Sequence, residues 1–94
     1  MQIITLKKVD KYLSKQYKGD PNGIHLVRLF LDKKLATADN PLSLPNCKKL
    51  VGYEKLWRWR VGSYRIIAEV TSNKELIIKI IEIDKKDGNT YKGL

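Results

Sequence analysis

The sequence holds one cysteine and one histidine in 94 residues. A lone Cys47 excludes an intramolecular disulfide and fits a reducing compartment. Two Cys/His side chains fall short of the roughly four ligands of a structural zinc site. A nucleophilic Cys47 would need a histidine beside it, the only one is His25, and no nucleophile signature surrounds the cysteine. No apolar run approaches the ~18 residues of a membrane span, and the N-terminus has no signal-peptide hydrophobic stretch, so a cytoplasmic chain is expected. Acids are scarce too: 10 Asp and Glu stand against 19 Lys and Arg, for a net charge of +9 and a pI near 9.7. Such a balance points to a polyanionic partner, whether nucleic acid, anionic membrane or acidic protein. The bland alternative is a lysine-rich solvated surface.

What is present reads as a single domain over residues 1–94, with 43% hydrophobic and 31% charged residues. Residues 1–6 are β-rich and predict a first strand. From Leu6 to Tyr17 the apolar positions Val9, Tyr12, Leu13 and Tyr17 follow helical spacing, with lysines on the other faces. "KGDPNG", 18–23, is a turn, and Asp20-Pro21 supplies an N-cap and a first helical residue. Residues 22–37 continue the helical spacing through Ile24, Val27, Phe30, Leu31 and Leu35, so an antiparallel helical hairpin is expected. Residues 38–47 form a proline-bearing loop. Strands follow at 55–61 and 64–71, joined by Gly62-Ser63, a type II′ hairpin signal. An isoleucine-rich strand over 74–84, apolar on both faces, is expected to be central, and 85–94 is a polar tail. The predicted fold is α+β: β-α-α-β-β-β, two helices on one face of a small, mostly antiparallel, four-stranded sheet.

The two-residue loop fixes the hairpin register. Val61 faces Tyr64, Arg60 faces Arg65, Trp59 faces Ile66 and Arg58 faces Ile67. One side then carries Trp57, Trp59, Val61, Tyr64, Ile66 and Ala68, a core face in which both tryptophans pack. The other carries Arg58, Arg60, Arg65 and Ile67. Arg60 opposite Arg65 is a like-charge pair that costs a few tenths to ~1 kcal/mol. An anion between the guanidiniums would reverse that sign, and arginine binds phosphate bidentately. Alternatively Glu69, or an acid on a neighbouring strand, neutralises the pair.

"KKLVGYEKLWRWRVGSYRIIAEV", residues 48–70, closely resembles the core motif of RelE/ParE-superfamily toxins, and "LKKVDKYLSKQYK" is similar to that family's first helix. The resemblance implies the toxin of a type II toxin–antitoxin pair, closest to the RelE-like endoribonucleases that cut mRNA in the ribosomal A site. It implies a metal-free, cofactor-free mechanism. Arg58 and Arg60 match basic residues that activate the ribose 2′-hydroxyl or hold phosphate. Arg65 matches a residue that stabilises the transition state. Lys85 or Lys86 would stand for a basic residue after the last strand, and Tyr91 for a tyrosine that stacks on a base. The family's glycine-histidine-arginine or glycine-lysine-arginine stretch reads Asp84-Lys85-Lys86 here, which leaves the general acid unassigned. Lys7, Lys11, Lys48, Lys49 and Lys55 would bind RNA phosphates. Partners would be mRNA, the ribosome and a cognate acidic antitoxin, the toxin alone being monomeric. The superfamily also implies two alternatives: a ParE-like inhibitor of DNA gyrase, and a non-toxic antitoxin-binding homologue.

Overall fold

A computed structural model describes residues 1–85. Strand β1 (Gln2–Thr5) leads into helix α1 (Lys7–Tyr17) and helix α2 (Pro21–Leu29). A π-helical segment, Phe30–Leu35, and a 3₁₀ turn, Pro41–Ser43, carry the chain to β2 (Cys47–Lys49). Strands β3 (Leu56–Val61), β4 (Tyr64–Ser72) and β5 (Leu76–Lys85) complete a five-stranded sheet of order β1-β5-β4-β3-β2. Among the described residues only the β1–β5 pair is parallel. No helix among the described residues is long and apolar enough to cross a membrane.

The sheet has one strand more than expected. Cys47–Lys49 pairs antiparallel with β3, Cys47 opposite Trp59 and Lys49 opposite Trp57. Three residues are too few to show an alternation of their own. Their strand character comes from the partner, through a pairing remote in sequence. The intervening turn places Gly52 at φ 87°, a conformation that suits glycine. The isoleucine-rich strand β5 is interior, between β1 and β4, while β4 holds the centre.

The second helix also departs from a uniform reading over 22–37. Regular α-helix ends at Leu29, and the next turn is π. An α-helix would rotate Leu35 by about 140° from Phe30. The wider turn returns it to the same side, and both are buried, Phe30 at 6% exposure and Leu35 at 0%. Packing has chosen the turn geometry here.

Asp20 caps α2 as expected. Its Oδ1 accepts from the Gly23 backbone N–H at 3.1 Å, with Pro21 in the first turn. The carboxylate lies so close over Gly23 that a Cβ there would come within 2.2 Å of Oδ2. The hairpin forms in the expected register, Arg60 opposite Arg65. Gly62 takes φ 57° while Ser63 stays out of the left-handed region, as a type II′ turn requires.

The core lies between the helices and one sheet face. Val9 and Leu13 of α1, and Ile24 and Val27 of α2, meet Trp59, Tyr64, Ile66 and Ala68, with Ile78, Ile80 and Ile83 from β5. Trp59 is fully buried and its Nε1–H donates to the Pro41 carbonyl at 3.0 Å. That bond ties the proline-bearing loop to the sheet and satisfies the one polar atom of the indole.

Candidate anion-binding face of the sheet

The helices cover one face of the sheet, and strand alternation sends the remaining side chains to the other. Register then sorts the open face into rows. Arg60, Arg65 and Asp84 form one row across β3, β4 and β5. Lys48, Arg58, Ile67 and Glu82 form the next, across β2 to β5. Leu56, Glu69, Lys79 and Ile4 form a third, from β3 to β1. The β2–β3 side of this face is cationic, and the acids sit on β4 and β5.

Arg65 has an acidic partner, as the neighbouring-strand alternative requires. Its Nε donates to Asp84 Oδ1 at 3.0 Å and its Nη2 to Oδ2 at 2.9 Å. The two side chains are 17% and 32% exposed, so this is a partly shielded bidentate pair. The like-charge cost of Arg60 against Arg65 is offset on the Arg65 side. Glu69, the other acid considered for that role, lies opposite Leu56 and Lys79 instead. Arg60 is exposed and makes no ion pair among the described residues.

Backbone bonds hold Arg60 in place. Its N–H donates to the Asn46 carbonyl at 3.0 Å, and its own carbonyl accepts from Asn46 Nδ2 at 2.8 Å. Asn46 thereby extends the β2–β3 pairing by one step past Cys47. Nothing in "LPNC" marks it for this role in the sequence, because the two residues meet only after the loop has folded back.

Of the expected site residues, Arg58, Arg60, Arg65 and Lys48 come together on the open face. Lys85 does not join them. It pairs with Tyr64, which points into the core, so alternation puts Lys85 on the helix side. There its charge helps Asp20, whose carboxyl is held below the usual range. The Tyr64 hydroxyl, donating to Asp20 Oδ2 at 2.8 Å, is the main cause, and the Gly23 N–H the next. Tyr64 itself is pushed up, first by burial. The nearby Tyr12 phenol is raised by burial and by the Asp84 charge, with the Lys85 backbone N–H opposing. Lys7 and Lys11 lie exposed on α1, away from the arginine rows. Lys49 turns to the helix side, its ammonium 5.9 Å from the Trp57 ring centroid. Lys55 is exposed just before β3. Lys86 and Tyr91 lie outside the described residues.

Cys47 is half-buried and its thiol is pushed up to about 11, by burial first, with the Arg58 charge opposing. A thiol so far from ionising at neutral pH is a poor nucleophile.

A family model described as the ParE toxin of type II toxin–antitoxin system, parDE, matches residues 5–89. No curated protein sequence matches the chain. Among solved structures, the YoeB/ParE toxin from Agrobacterium tumefaciens superposes with a TM-score of 0.66 at 14% identity, covering 93% of this chain and 100% of that one. The RelB–RelE antitoxin–toxin complex from Methanococcus jannaschii gives a TM-score of 0.46 at 20% identity, covering 87% of this chain and 88% of that one. At such identities the first likeness is one of fold.

Proposed function

The chain belongs to the ParE toxin family of type II toxin–antitoxin systems, and from that premise we propose that it is an endoribonuclease that cuts mRNA and stops translation. One observation carries the reading: Arg60 stands opposite Arg65 on the uncovered face, with Arg58 and Lys48 one row away. Folding does not require four cations on one small patch. A phosphodiester supplies what the patch lacks.

RNA carries its own nucleophile, the 2′-hydroxyl. The protein's task is to align that oxygen with the phosphorus, take up its proton as the new P–O bond forms, stabilise the charge that grows on the phosphoryl oxygens, and protonate the 5′-oxygen as its bond to phosphorus breaks. Arg60 and Arg58 bind the phosphoryl oxygens. Arg65, held by Asp84, adds a fixed guanidinium to the same row. The products are a 2′,3′-cyclic phosphate and a 5′-hydroxyl. With Lys85 on the helix side, proton transfer falls to Arg58 or Lys86. Neither an arginine nor a lysine side chain is suited by its ordinary chemistry to proton exchange at neutral pH, so most of the acceleration comes from positioning and electrostatics. Tyr91 stacks on a base. The exposed lysines, Lys48 and Lys55 foremost, meet ribosomal RNA phosphates, which makes activity salt-sensitive. The working compartment is the cytoplasm, where an acidic antitoxin holds the monomeric toxin in check.

A second reading is favoured by Asp84. Its carboxylate answers Arg65 internally and lowers the positive potential of that row, as a toxin acting on a protein target such as DNA gyrase would tolerate. A translation reaction and a gyrase supercoiling reaction, each given purified chain, separate the two. The ribonuclease reading expects mRNA cut with cyclic-phosphate ends and supercoiling unaffected. Intact mRNA with blocked supercoiling would overturn it.

A further inference from the structure

The turn between β2 and β3 carries the two most exposed large apolar side chains among the described residues. Val51 is 93% exposed and Tyr53 57%. Backbone bonds fix the turn. The Tyr53 N–H donates to the Leu50 carbonyl at 3.4 Å, and Gly52, in the third place at φ 87°, makes it type II. The Leu50 N–H donates to the Leu56 carbonyl at 3.0 Å and closes the loop between the two strands. The Lys55 carbonyl accepts from the Val70 N–H at 2.8 Å and ties the far end to β4. None of these bonds uses the Tyr53 side chain, so the fold presents an aromatic ring to water on a fixed support.

A lone apolar residue at the surface is ordinary. Charge and position set this one apart. Residues 48–55 hold Lys48, Lys49 and Lys55 against a single acid, Glu54. The turn leads into β3, where Arg58 and Arg60 follow on the open face. Two residues of strand span about 6.6 Å, close to one nucleotide of an extended chain. An RNA strand laid along β3, with phosphates at Arg60 and then at Arg58, therefore reaches the turn about one nucleotide later. The other aromatics are placed differently. Phe30, Trp59 and Tyr64 are buried, Trp57 is half-buried with the Lys49 ammonium over its ring, and Tyr17 stands on α1, on the covered side of the sheet. An anionic membrane would attract the same lysines, but one valine and one tyrosine bury little apolar area in it, and Glu54 follows directly.

We propose that Tyr53 is a base platform: its ring stacks on an unpaired nucleobase of the RNA strand whose phosphates Arg58 and Arg60 hold. Every base has a π face, so the platform grips the strand without selecting its sequence. It adds to the phosphate contacts a hold that salt does not screen. The assignment rests on the RNA-binding half of the proposed function and not on cleavage.

The test uses the full chain and a fluorescein-labelled 2′-O-methyl RNA of about eight nucleotides, which binds without supplying a nucleophile. Tyr53→Ala is expected to weaken binding about fivefold or more and to leave the slope of log affinity against log salt unchanged, because stacking releases no counterions. Lys55→Gln should instead make that slope shallower by about 0.7. Tyr53→Phe should stay within about twofold of the wild-type chain, while Tyr53→Leu, which keeps apolar area and loses the ring, should behave as the alanine variant does. An abasic nucleotide at one position of the RNA should cost the wild-type chain about as much as Tyr53→Ala does, and should cost the alanine variant nothing further. Unchanged affinity in Tyr53→Ala would overturn the assignment. So would wild-type affinity in Tyr53→Leu, additive losses at every abasic position, or a wild-type chain that does not bind the RNA. Binding to phosphatidylserine vesicles that Tyr53→Ala abolishes, with RNA affinity unmoved, would give the turn to a membrane instead. Cleavage of mRNA by the same proteins keeps the two proposals apart. RNA binding that depends on Tyr53 without cleavage removes the ribonuclease and leaves the platform, and cleavage with binding indifferent to Tyr53 does the opposite.

Discussion

The two faces of the sheet are made by the same strands and obey opposite rules. Along β4, Tyr64, Ile66, Ala68 and Val70 point into the core with at most 8% exposure, and Arg65, Ile67, Glu69 and Thr71 between them point out. On the inner face each residue is fixed by its neighbours, because space and the exclusion of water leave few alternatives. On the outer face the backbone fixes position and not identity. Any β-compatible residue would fold there, so three cations on β2 and β3, a fourth on β4, and acids on β4 and β5 are a choice that packing does not explain. The inner face should therefore answer to mutation in stability, and the outer face in interaction with anions.

The inner face should yield the largest effect. Trp59→Ala removes a fully buried indole and the Nε1 bond to Pro41 that ties the loop to the sheet. The expected loss is about 3–5 kcal/mol. For a chain of this size that lowers Tm by more than about 12 °C. Thermal unfolding by circular dichroism measures it, and a loss below ~1 kcal/mol would mean that the face is far less constrained than its burial implies.

Arg65 sharpens the comparison because it is an outer-face residue with an inner-face habit. Its bidentate pair with Asp84 is partly shielded, so breaking it should cost roughly 1–2 kcal/mol. The like-charge argument alone predicts the opposite sign, a gain on removing Arg65. A cycle of Arg65→Ala, Asp84→Ala and the double variant decides between them through the coupling energy. Coupling near zero would return Arg65 to the rule of the open face.

Tyr64 tests the seam where the core meets the surface. Tyr64→Phe keeps the buried ring and deletes the hydroxyl that donates to Asp20, for a loss of about 1 kcal/mol near neutral pH. That hydroxyl is also the main reason that the Asp20 carboxyl lies below its ordinary value of 3.8. A carboxyl lowered in the folded state contributes stability above its unfolded pKa and loses it as pH falls through the folded one. The wild-type chain thus has more to lose in acid than the variant. The gap between their melting temperatures should narrow below about pH 4. A gap that stays constant from neutral pH down to acid would separate the hydroxyl from the titration of Asp20.

The same division explains what was legible in the sequence. The helices, the hairpin register and the Asp20 cap follow from periodicity, turn chemistry and capping, which are local. The core residues Trp59, Tyr64, Ile66 and Ala68 follow from that register. Strand β2 has too few residues to carry a pattern, and the π turn at Phe30–Leu35 answers to the core beneath it. Asn46 is hidden for a similar reason: it acts on Arg60, which only the folded sheet brings beside it. An acid on a neighbouring strand is one of the expected partners of the arginine pair, but that the acid is Asp84 depends on the β4–β5 register, which the sequence leaves open. The arginines themselves were visible because a hairpin register can be worked out from a two-residue loop. Lys85 is expected with them only because the resemblance calls for a basic residue after the last strand, and the alternation of β5 puts it on the other side.

Arg60→Ala is where the two faces should differ most clearly, with the smallest effect on stability and a large one on RNA. Its side chain is exposed, its backbone bonds to Asn46 do not need the guanidinium, and it has no ion-pair partner among the described residues. Asp84 already compensates Arg65, so relief of the like-charge contact adds at most a few tenths of a kcal/mol. The net change in folding free energy should stay within about 0.5 kcal/mol of zero. Against RNA the same substitution removes a phosphate-binding cation, so the slope of log affinity against log salt should become shallower by about one. Cleavage, if it depends on charge stabilisation at the phosphorus, should fall about 100-fold or more. Unfolding of the variant alongside a salt titration of its RNA binding checks both halves. A stable variant with an unchanged salt slope would leave Arg60 as a solvated surface charge and return the cationic patch to the bland reading of a lysine- and arginine-rich surface.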